Sequence, residues 1–200
     1  VIEQQQRNAD AKVEQAKLEL ARGLSEQQRL IQQRSQWFGK METAIESFKM
    51  QHLNDSVSHY YEILTKAAPT NWDYLIAAGR FEEDYMADYN RAMNYQLSAL
   101  NTTDNDTYKA TSYIIIGGIY EKLDDYSKAL DYFKKSLNLD LSFFGENHPS
   151  VASGYYNIGY VYFAQGDYSK ALEYFEEVLK IRLSVYGENH SRVASVYNDI

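Results

Sequence analysis

One stretch of fourteen residues occurs twice in this 200-residue chain, and its repetition limits the folds that are open to it. GENHPSVASGYYNI occupies residues 145–158, and GENHSRVASVYNDI follows 42 residues later at 187–200, with nine of the fourteen positions identical. Self-similarity at a period of roughly 20–50 residues indicates stacked units rather than one closed core. The chain starts without a methionine and ends inside the second copy, so we expect it to be part of a longer protein.

The residues between the two copies repeat at the same offset. The segment 112–137 aligns with the segment that ends at residue 179, and small and aromatic positions recur together. The matched pairs are Gly117 with Gly159, Tyr120 with Tyr162, Tyr126 with Tyr168, Ala129 with Ala171, and Phe133 with Phe175. A constant offset over five chemically distinctive positions predicts a true structural repeat.

Each unit has the pattern of two helices joined by a turn. Tyr155, Ile158 and Tyr162 have the three- and four-residue spacing of one helical face. Gly166 suits the left-handed residue that ends a helix, and the pair His148-Pro149 discourages continuation of the preceding helix. The second helix starts at Tyr168, and its predicted inward positions are Ala171, Leu172, Phe175, Val178, Leu179 and Leu183.

The pattern Y-x-x-[IL]-G-x-x-Y-x-x-x-G-D-Y-x-x-A-L-x-Y-[FY] resembles the tetratricopeptide repeat. The 42-residue period and the GENHP loop are similar to the kinesin-light-chain-like subclass. The resemblance implies an all-α fold, a right-handed superhelical solenoid of antiparallel helix pairs with a concave groove. It also implies a protein-interaction function, because these repeats serve mainly as binding surfaces.

The same template persists upstream in a weaker form. Gly79, Tyr89, Ala92 and Tyr95 match it with one extra residue in the turn between the helices, and Val57, Tyr61 and Pro69 match it more loosely. We therefore expect an array over 38–200, after a helical segment at 1–37. The predicted units are 38–71, 72–109, 110–151 and 152–193, with the start of a further unit at 194–200.

The first 37 residues differ in composition from the rest. They are rich in Gln, Glu, Ala and Arg, with sparse apolar residues such as Val13, Leu20, Leu24 and Ile31. Gly23 followed by Ser25 and Gln28 predicts a helix stop and a capping box, and hence a helical hairpin. The segment is either a helical linker or cap, which we favour, or a coiled coil that forms a homodimer.

Composition excludes several classes of function. The net charge is −8 and no basic cluster is present, which argues against nucleic-acid binding. No apolar run is long enough to span a membrane, and the absence of cysteine suits a cytoplasmic location. His148 and His190 recur at the same loop position, so we expect them to fix the loop rather than bind a metal. No catalytic motif or cofactor site is recognisable, and we expect no enzyme in these residues.

In the repeat family, first helices line the groove, and an Asn before the Ile-Gly pair often binds a peptide backbone. This resemblance points to Asn157 here and to Asp199 in the next unit. Lys and Arg are missing from these first-helix positions, which disfavours a carboxylate-clamp ligand and favours a partner with apolar or aromatic anchors. The remaining predicted groove residues are Ser153, Tyr156, Tyr160, Phe163, Ile114 and Glu121.

Three functions are compatible with this pattern. The first is a non-catalytic scaffold that binds a partner peptide or protein domain in the groove. The second is a sensor or regulatory arm of a larger, for example bacterial, multidomain enzyme such as a protease or signalling ATPase, whose partner is another domain of the same protein. The third is a structural dimeriser that acts through residues 1–37.

Overall fold

The computed structural model consists of α-helices packed in antiparallel pairs, as the sequence predicts. It describes the backbone of residues 2–200 and the side chains of residues 15, 17, 19, 21–198 and 200. The helices of this part are α1 (Ile2–Met50), α2 (Asn54–Ala67), α3 (Trp72–Phe81), α4 (Tyr89–Asn101), α5 (Asp106–Lys122), α6 (Tyr126–Phe144), α7 (Pro149–Ala164), α8 (Tyr168–Tyr186) and α9 (Ser191–Asp199). A π-helical segment, Glu82–Met86, continues directly from α3.

The chain divides into two compact units, residues 1–60 and residues 61–200. In the first unit, α1 runs without interruption through Gly23, so the predicted helix stop and hairpin at that position are wrong. The physical reason is that a glycine in an exposed helix interior costs only about 1 kcal/mol relative to alanine. No other group crowds the Gly23 position, and the flanking Gln, Glu, Arg and Leu residues favour helix.

A polar side chain caps the start of most helices in the second unit. Asp88, Asp125 and Asp167 each precede a second helix of a pair, and their carboxylates accept hydrogen bonds from the backbone N–H three residues later. His148 and His190 do the same before α7 and α9, each with Nδ1 accepting from the N–H two residues later at 3.1 Å. The predicted role of these histidines in fixing the loop is therefore confirmed.

The core of the second unit is built between neighbouring helix pairs. One cluster combines Phe133 of α6, Val151 of α7, Phe175 of α8 and Val196 of α9, all nearly inaccessible to solvent. A second cluster joins α3, α4 and α5 through residues such as Ile119. Because each cluster draws on more than one pair, no pair buries its apolar faces without its neighbours.

Glycines allow the two helices of a pair to approach closely. A Cβ atom on Gly117 would lie 2.7 Å from the ring of Phe133, and one on Gly159 would lie 2.9 Å from the ring of Phe175. The predicted helix phase is right at these positions, but it is wrong for Leu172, which is 40% exposed. Leu172 directly follows the buried Ala171, and the inward face of α8 is narrower than the sequence suggests.

The extra residue predicted in the turn after α3 is accommodated in the helix. A π-helix has one more residue in each hydrogen-bonded turn than an α-helix, so it can absorb an insertion. The segment Glu82–Met86 ends at Ala87, which has a left-handed conformation (φ 52°), and Asp88 then caps α4. The start of α4 is thus capped in the same way as the starts of α6 and α8.

Candidate partner-binding surface

Two predicted groove residues form part of an exposed aromatic cluster near the turn from α7 to α8. Tyr160 and Phe163 are 44% and 49% exposed, with ring centroids 6.4 Å apart. Tyr168, at the start of α8, lies 5.5 Å from Phe163 and is also exposed. We call these three side chains the aromatic patch. Large apolar side chains clustered at a surface are typical of sites that bind other proteins.

Asn157 and Ser153 lie on the same side of α7 as the patch. Positions 153, 157 and 160 are separated by four and three residues, which places them along one helical face. Asn157 is half-buried, and its amide makes no hydrogen bond to any side chain or backbone group that the structure describes. The amide therefore has hydrogen-bonding capacity left, and its role in binding a partner backbone stays a prediction. Ser153 is exposed, and its hydroxyl donates to the Pro149 carbonyl at 3.0 Å.

The other predicted groove residues have different surroundings. Tyr156 packs between Phe175, at 5.5 Å, and the guanidinium of Arg182, 5.6 Å from its ring centre, so it mainly supports the helix pair. Ile114 is half-buried against the core. Glu121 is half-buried, and burial raises the pKa of its carboxyl above the ordinary value. The side chain of Asp199 lies outside the described residues.

Sequence reasoning missed a cationic pocket between α7, α8 and α9. It has a volume of about 300 Å³. Its lining residues are Pro149, Ser153, Arg182, Tyr186, Arg192 and Ser195, which we call the arginine pocket. The sequence prediction rested on the Asn-like positions of the first helices, which carry no Lys or Arg, whereas Arg182 comes from the last turns of the second helix α8. The alignment of the repeats at the 42-residue offset could have indicated this pocket, because Arg182 stands at the position of Asp140 and Arg192 at the position of Ser150.

The α3–α4 pair differs from the later pairs in its interior. By the alignment of the units, Glu82 stands where Tyr120 stands in the next pair, and Gln96 stands at the position of Phe133. Both polar side chains are almost completely buried. Gln96 fills the space beside Gly79, and neither atom of its amide has a hydrogen-bond partner in the described structure. This pair carries polar groups where its neighbours carry aromatic rings.

The α3–α4 pair keeps a cationic side chain at the position of Lys128, although Glu82 stands in place of the aromatic ring that Lys128 contacts. Lys128 lies 4.9 Å from the ring centre of Tyr120, and the equivalent Arg91 instead forms an ion pair of 3.2 Å with Glu82. Burial by itself lowers the pKa of Arg91, but a hydrogen bond to Tyr95 and the two carboxylates of Glu82 and Glu62 outweigh it, so the net pKa is raised. A cation–π contact has become an ion pair at the same place in the repeat.

The described residues contain no group of three or more His, Cys, Asp or Glu side chains that is arranged to hold a metal ion. Within the same part of the chain, no helix is both long and apolar enough to cross a membrane. What this surface offers is aromatic, amide and guanidinium groups for contact with another molecule.

Comparisons with known proteins agree with this architecture. A family model described as "Tetratricopeptide repeat" matches residues 108–184 and again residues 150–200, so the C-terminal part of the chain carries tetratricopeptide repeats. No curated protein sequence matches the chain.

Several solved structures share the fold. The protein in the crystal structure of MamA is 21% identical in sequence to this chain, and the two structures superpose with a TM-score of 0.55 over 78% of this chain and 83% of that one. BtubC (BKLC) from P. vanneervenii is 18% identical with a TM-score of 0.60, over 80% and 63% of the two chains. The apo form of RapI is 21% identical with a TM-score of 0.65, over 76% and 44%. At these identities the similarity shows the fold alone.

Proposed function

We propose that this chain, whose C-terminal part carries tetratricopeptide repeats, is a non-catalytic scaffold that binds an apolar or aromatic segment of a partner protein along α7. Repeats of this family generally act in protein interaction. The observation that supports this site is the exposed aromatic patch, together with the amide of Asn157 on the same helix, which has no hydrogen bond among the described residues. The 42-residue period and the GENHP loop also support the kinesin-light-chain-like subclass, and the absence of cysteine suits a cytoplasmic location.

The binding mode follows from the chemistry of the surface. Tyr160 and Phe163 offer ring faces to an apolar side chain, and Asn157 can donate to and accept from a peptide backbone. An extended peptide needs such a bidentate partner, because its backbone N–H and C=O groups lose water on binding. The segment belongs either to another protein or to another domain of the same full-length protein.

Peptide selection against the whole 200-residue chain tests this proposal. A bound peptide from a random library is labelled, and its affinity is measured by fluorescence anisotropy. Truncation of a central aromatic contact typically costs about 2 kcal/mol, so Tyr160→Ser and Phe163→Ser should each weaken binding by roughly 30-fold. Asn157→Ala should weaken it by about tenfold, because it removes a hydrogen-bonding partner of the buried peptide backbone.

Matched controls come from exposed aromatic residues elsewhere. Tyr85 in the π-helical segment and Phe143 near the end of α6 are 64% and 68% exposed. Tyr85→Ser and Phe143→Ser should leave the affinity within twofold. Circular dichroism at 222 nm should show unchanged helicity for all variants. Equal affinity of the wild-type chain and the Tyr160→Ser variant would reject this site.

The alternative of a structural dimeriser has one observation in its favour. Leu24, Leu30 and Ile31 of α1 are between 53% and 69% exposed, and Leu24 and Ile31 are separated by one heptad. Light scattering at about 5 and 200 μM distinguishes the two functions. A mass that rises to that of a dimer, and that Leu24→Lys returns to a monomer, would favour dimerisation.

The alternative of a regulatory arm concerns the same surface. In that case the aromatic patch would contact a catalytic domain encoded next to this segment. Adding the adjoining domain as a separate protein should then compete with the labelled peptide, and the Phe163→Ser variant should not bind that domain.

A further inference from the structure

We propose that the arginine pocket binds a phosphate group, carried by a phosphorylated serine or threonine of the partner peptide. Two guanidinium groups and three hydroxyl groups line the pocket, and among the side chains that the structure describes no carboxylate does. This composition is unexpected in a chain with a net charge of −8. It indicates a place where negative charge from another molecule is accommodated.

Both arginines line the same pocket, and each guanidinium is held there by hydrogen bonds to uncharged groups. Nη1 of Arg182 donates to the backbone carbonyl of Arg192 at 2.9 Å and to the hydroxyl of Ser195 at 3.2 Å. Nη1 of Arg192 donates to the Tyr186 hydroxyl at 2.7 Å. Neither guanidinium forms an ion pair with a carboxylate in the described part of the chain. Two neighbouring cations repel each other, and a bound anion would relieve that repulsion.

Donor groups remain available in the pocket. Each guanidinium has five N–H groups, and only Nη1 of each one takes part in the hydrogen bonds described above. The hydroxyl of Tyr186 accepts from Arg192, which leaves its own proton free to donate. Both serine hydroxyls already donate to backbone carbonyls, so they add little unless they rotate. The free donors therefore come from Arg182, Arg192 and Tyr186.

Aromatic rings hold both guanidinium groups in place. Arg182 lies 5.6 Å from the ring centre of Tyr156, and Arg192 lies 5.3 Å from that of Tyr186. The Tyr186 ring in turn stacks on His190, which caps α9. Side chains that are fixed before a ligand arrives lose less conformational entropy on binding. The guanidinium groups of the pocket are thus preorganised for an anion.

The preceding helix pair provides an internal comparison. Phe144 stacks on His148 there, as Tyr186 stacks on His190, so the loop architecture is the same. The charge at the equivalent position has the opposite sign, because the buried Asp140 stands at the position of Arg182. The two arginines are therefore not required by the architecture of the repeat.

A phosphate group fits the donors better than a carboxylate group. It carries close to two negative charges at neutral pH and has three free oxygens, and guanidinium groups bind it through paired N–H bonds. A carboxylate has one charge and two oxygens, so it would satisfy only one of the two guanidinium groups bidentately. A volume of about 300 Å³ also leaves space for the serine or threonine that carries the phosphate.

The spacing along α7 relates this pocket to the proposed peptide site. Ser153, in the pocket, and Tyr160, in the aromatic patch, are seven residues apart, or about 10 Å along the helix axis. An extended peptide advances about 3.3 Å per residue. We therefore expect the phosphorylated residue about three to five positions from the apolar anchor. This part of the inference rests on the proposed function, whereas the pocket itself is tested without any peptide.

The test is a titration of the full chain with inorganic phosphate and, separately, with acetate, at pH 7.5 and constant ionic strength. Two-dimensional ¹⁵N NMR follows the backbone amides near Arg192 and the arginine Nε–H signals. We expect saturable shifts with phosphate and at least tenfold weaker binding of acetate. Arg182→Gln and Arg192→Gln should each weaken phosphate binding at least tenfold. Arg80→Gln, at an exposed arginine on α3, should change it less than twofold.

The outcomes separate this inference from the proposed function. Phosphate shifts that persist in Arg192→Gln, or acetate binding as tight as phosphate binding, would overturn the phosphate pocket. Arg192 is exposed, so its variant should fold even if Arg182→Gln does not. Tyr160→Ser should keep phosphate binding while losing the selected peptide. If phosphate binds but no peptide is selected, the proposed function fails and the phosphate pocket stands. If a peptide is selected but phosphate does not bind, only the phosphate pocket is rejected.

Discussion

Two adjacent glycines in α5 allow a direct test of how the helix pairs pack. Alanine in place of either glycine gains about 0.5–1 kcal/mol from helix propensity. At Gly118 a Cβ atom would meet no group within 4 Å, so Gly118→Ala should stabilise the protein by about that amount. At Gly117 the Cβ atom would lie 2.7 Å from Cδ1 and Cε1 of Phe133, well inside normal contact distance. The same substitution there requires the ring or the helix to move.

The magnitude follows from the balance of the two effects. Overpacking a core position costs about 1–3 kcal/mol, from which the propensity gain is subtracted. Gly117→Ala should therefore destabilise by about 0.5–2 kcal/mol. Urea unfolding followed by circular dichroism at 222 nm measures both variants, and their midpoints should shift in opposite directions. Gly159→Leu should destabilise in the same way, because its Cβ would lie 2.9 Å from Phe175.

A double-mutant cycle identifies the cause of the destabilisation. Phe133→Leu removes the ring that Gly117→Ala would strike, so the two substitutions together should cost about 1 kcal/mol less than the sum of their separate effects. Gly118→Ala should show no such coupling with Phe133→Leu. If Gly117→Ala proved as stable as Gly118→Ala, the close approach of α5 and α6 at this ring would be wrong.

Three further predictions concern polar groups in the second unit. Burial raises the pKa of the Asp140 carboxyl above its ordinary value near 3.8, because the folded protein favours the neutral form. The contribution of this group to folding stability is therefore complete below pH 3.8, and it is lost as the pH rises through the higher pKa of the folded state. Asp140→Asn should accordingly raise the melting temperature at pH 7 and have no effect near pH 3; a lower melting temperature at pH 7 would contradict the burial argument. His148→Ala removes the cap of α7 and the stack on Phe144, at a cost of about 1–2 kcal/mol in urea unfolding, and an unchanged midpoint would deny the cap. Arg91→Leu takes the cationic partner from the buried Glu82 and should cost about 3 kcal/mol, more than Lys134→Leu at an exposed site.

The helix pairs of the C-terminal part were accessible from the sequence, because residues far apart in the chain repeat the same chemistry at a fixed offset. Gly159 and Phe175 recur together as Gly117 and Phe133, and a small residue paired with a ring in both units indicates two closely packed helices. The continuous α1 was not accessible. Gly23 and Ser25 are compatible with a stop signal, but local propensity alone does not end a helix whose flanking residues all favour it. The boundaries of the individual repeats stay predictions.

The exposed side of α7 could be predicted only in part. Helical spacing placed Tyr160 and Phe163 on the exposed side of α7 correctly, but it did not separate them from Tyr156, which packs inside the pair. Positions one residue apart differ by about 100° around a helix, and the sequence does not fix where the next helix lies. The arginine pocket needed three helices in place, because Arg182 and Arg192 are brought together by α8 and α9.

The π-helical segment after α3 has a consequence for how such a chain can change over time. The additional residue is taken up inside the segment Glu82–Met86, and Asp88 still caps α4 as Asp125 caps α6. An insertion therefore alters one turn and leaves the register of every later helix untouched. A single residue inserted or removed within Glu82–Met86 would be taken up there, so the packing faces of α4 and of the later helices would keep their positions relative to one another.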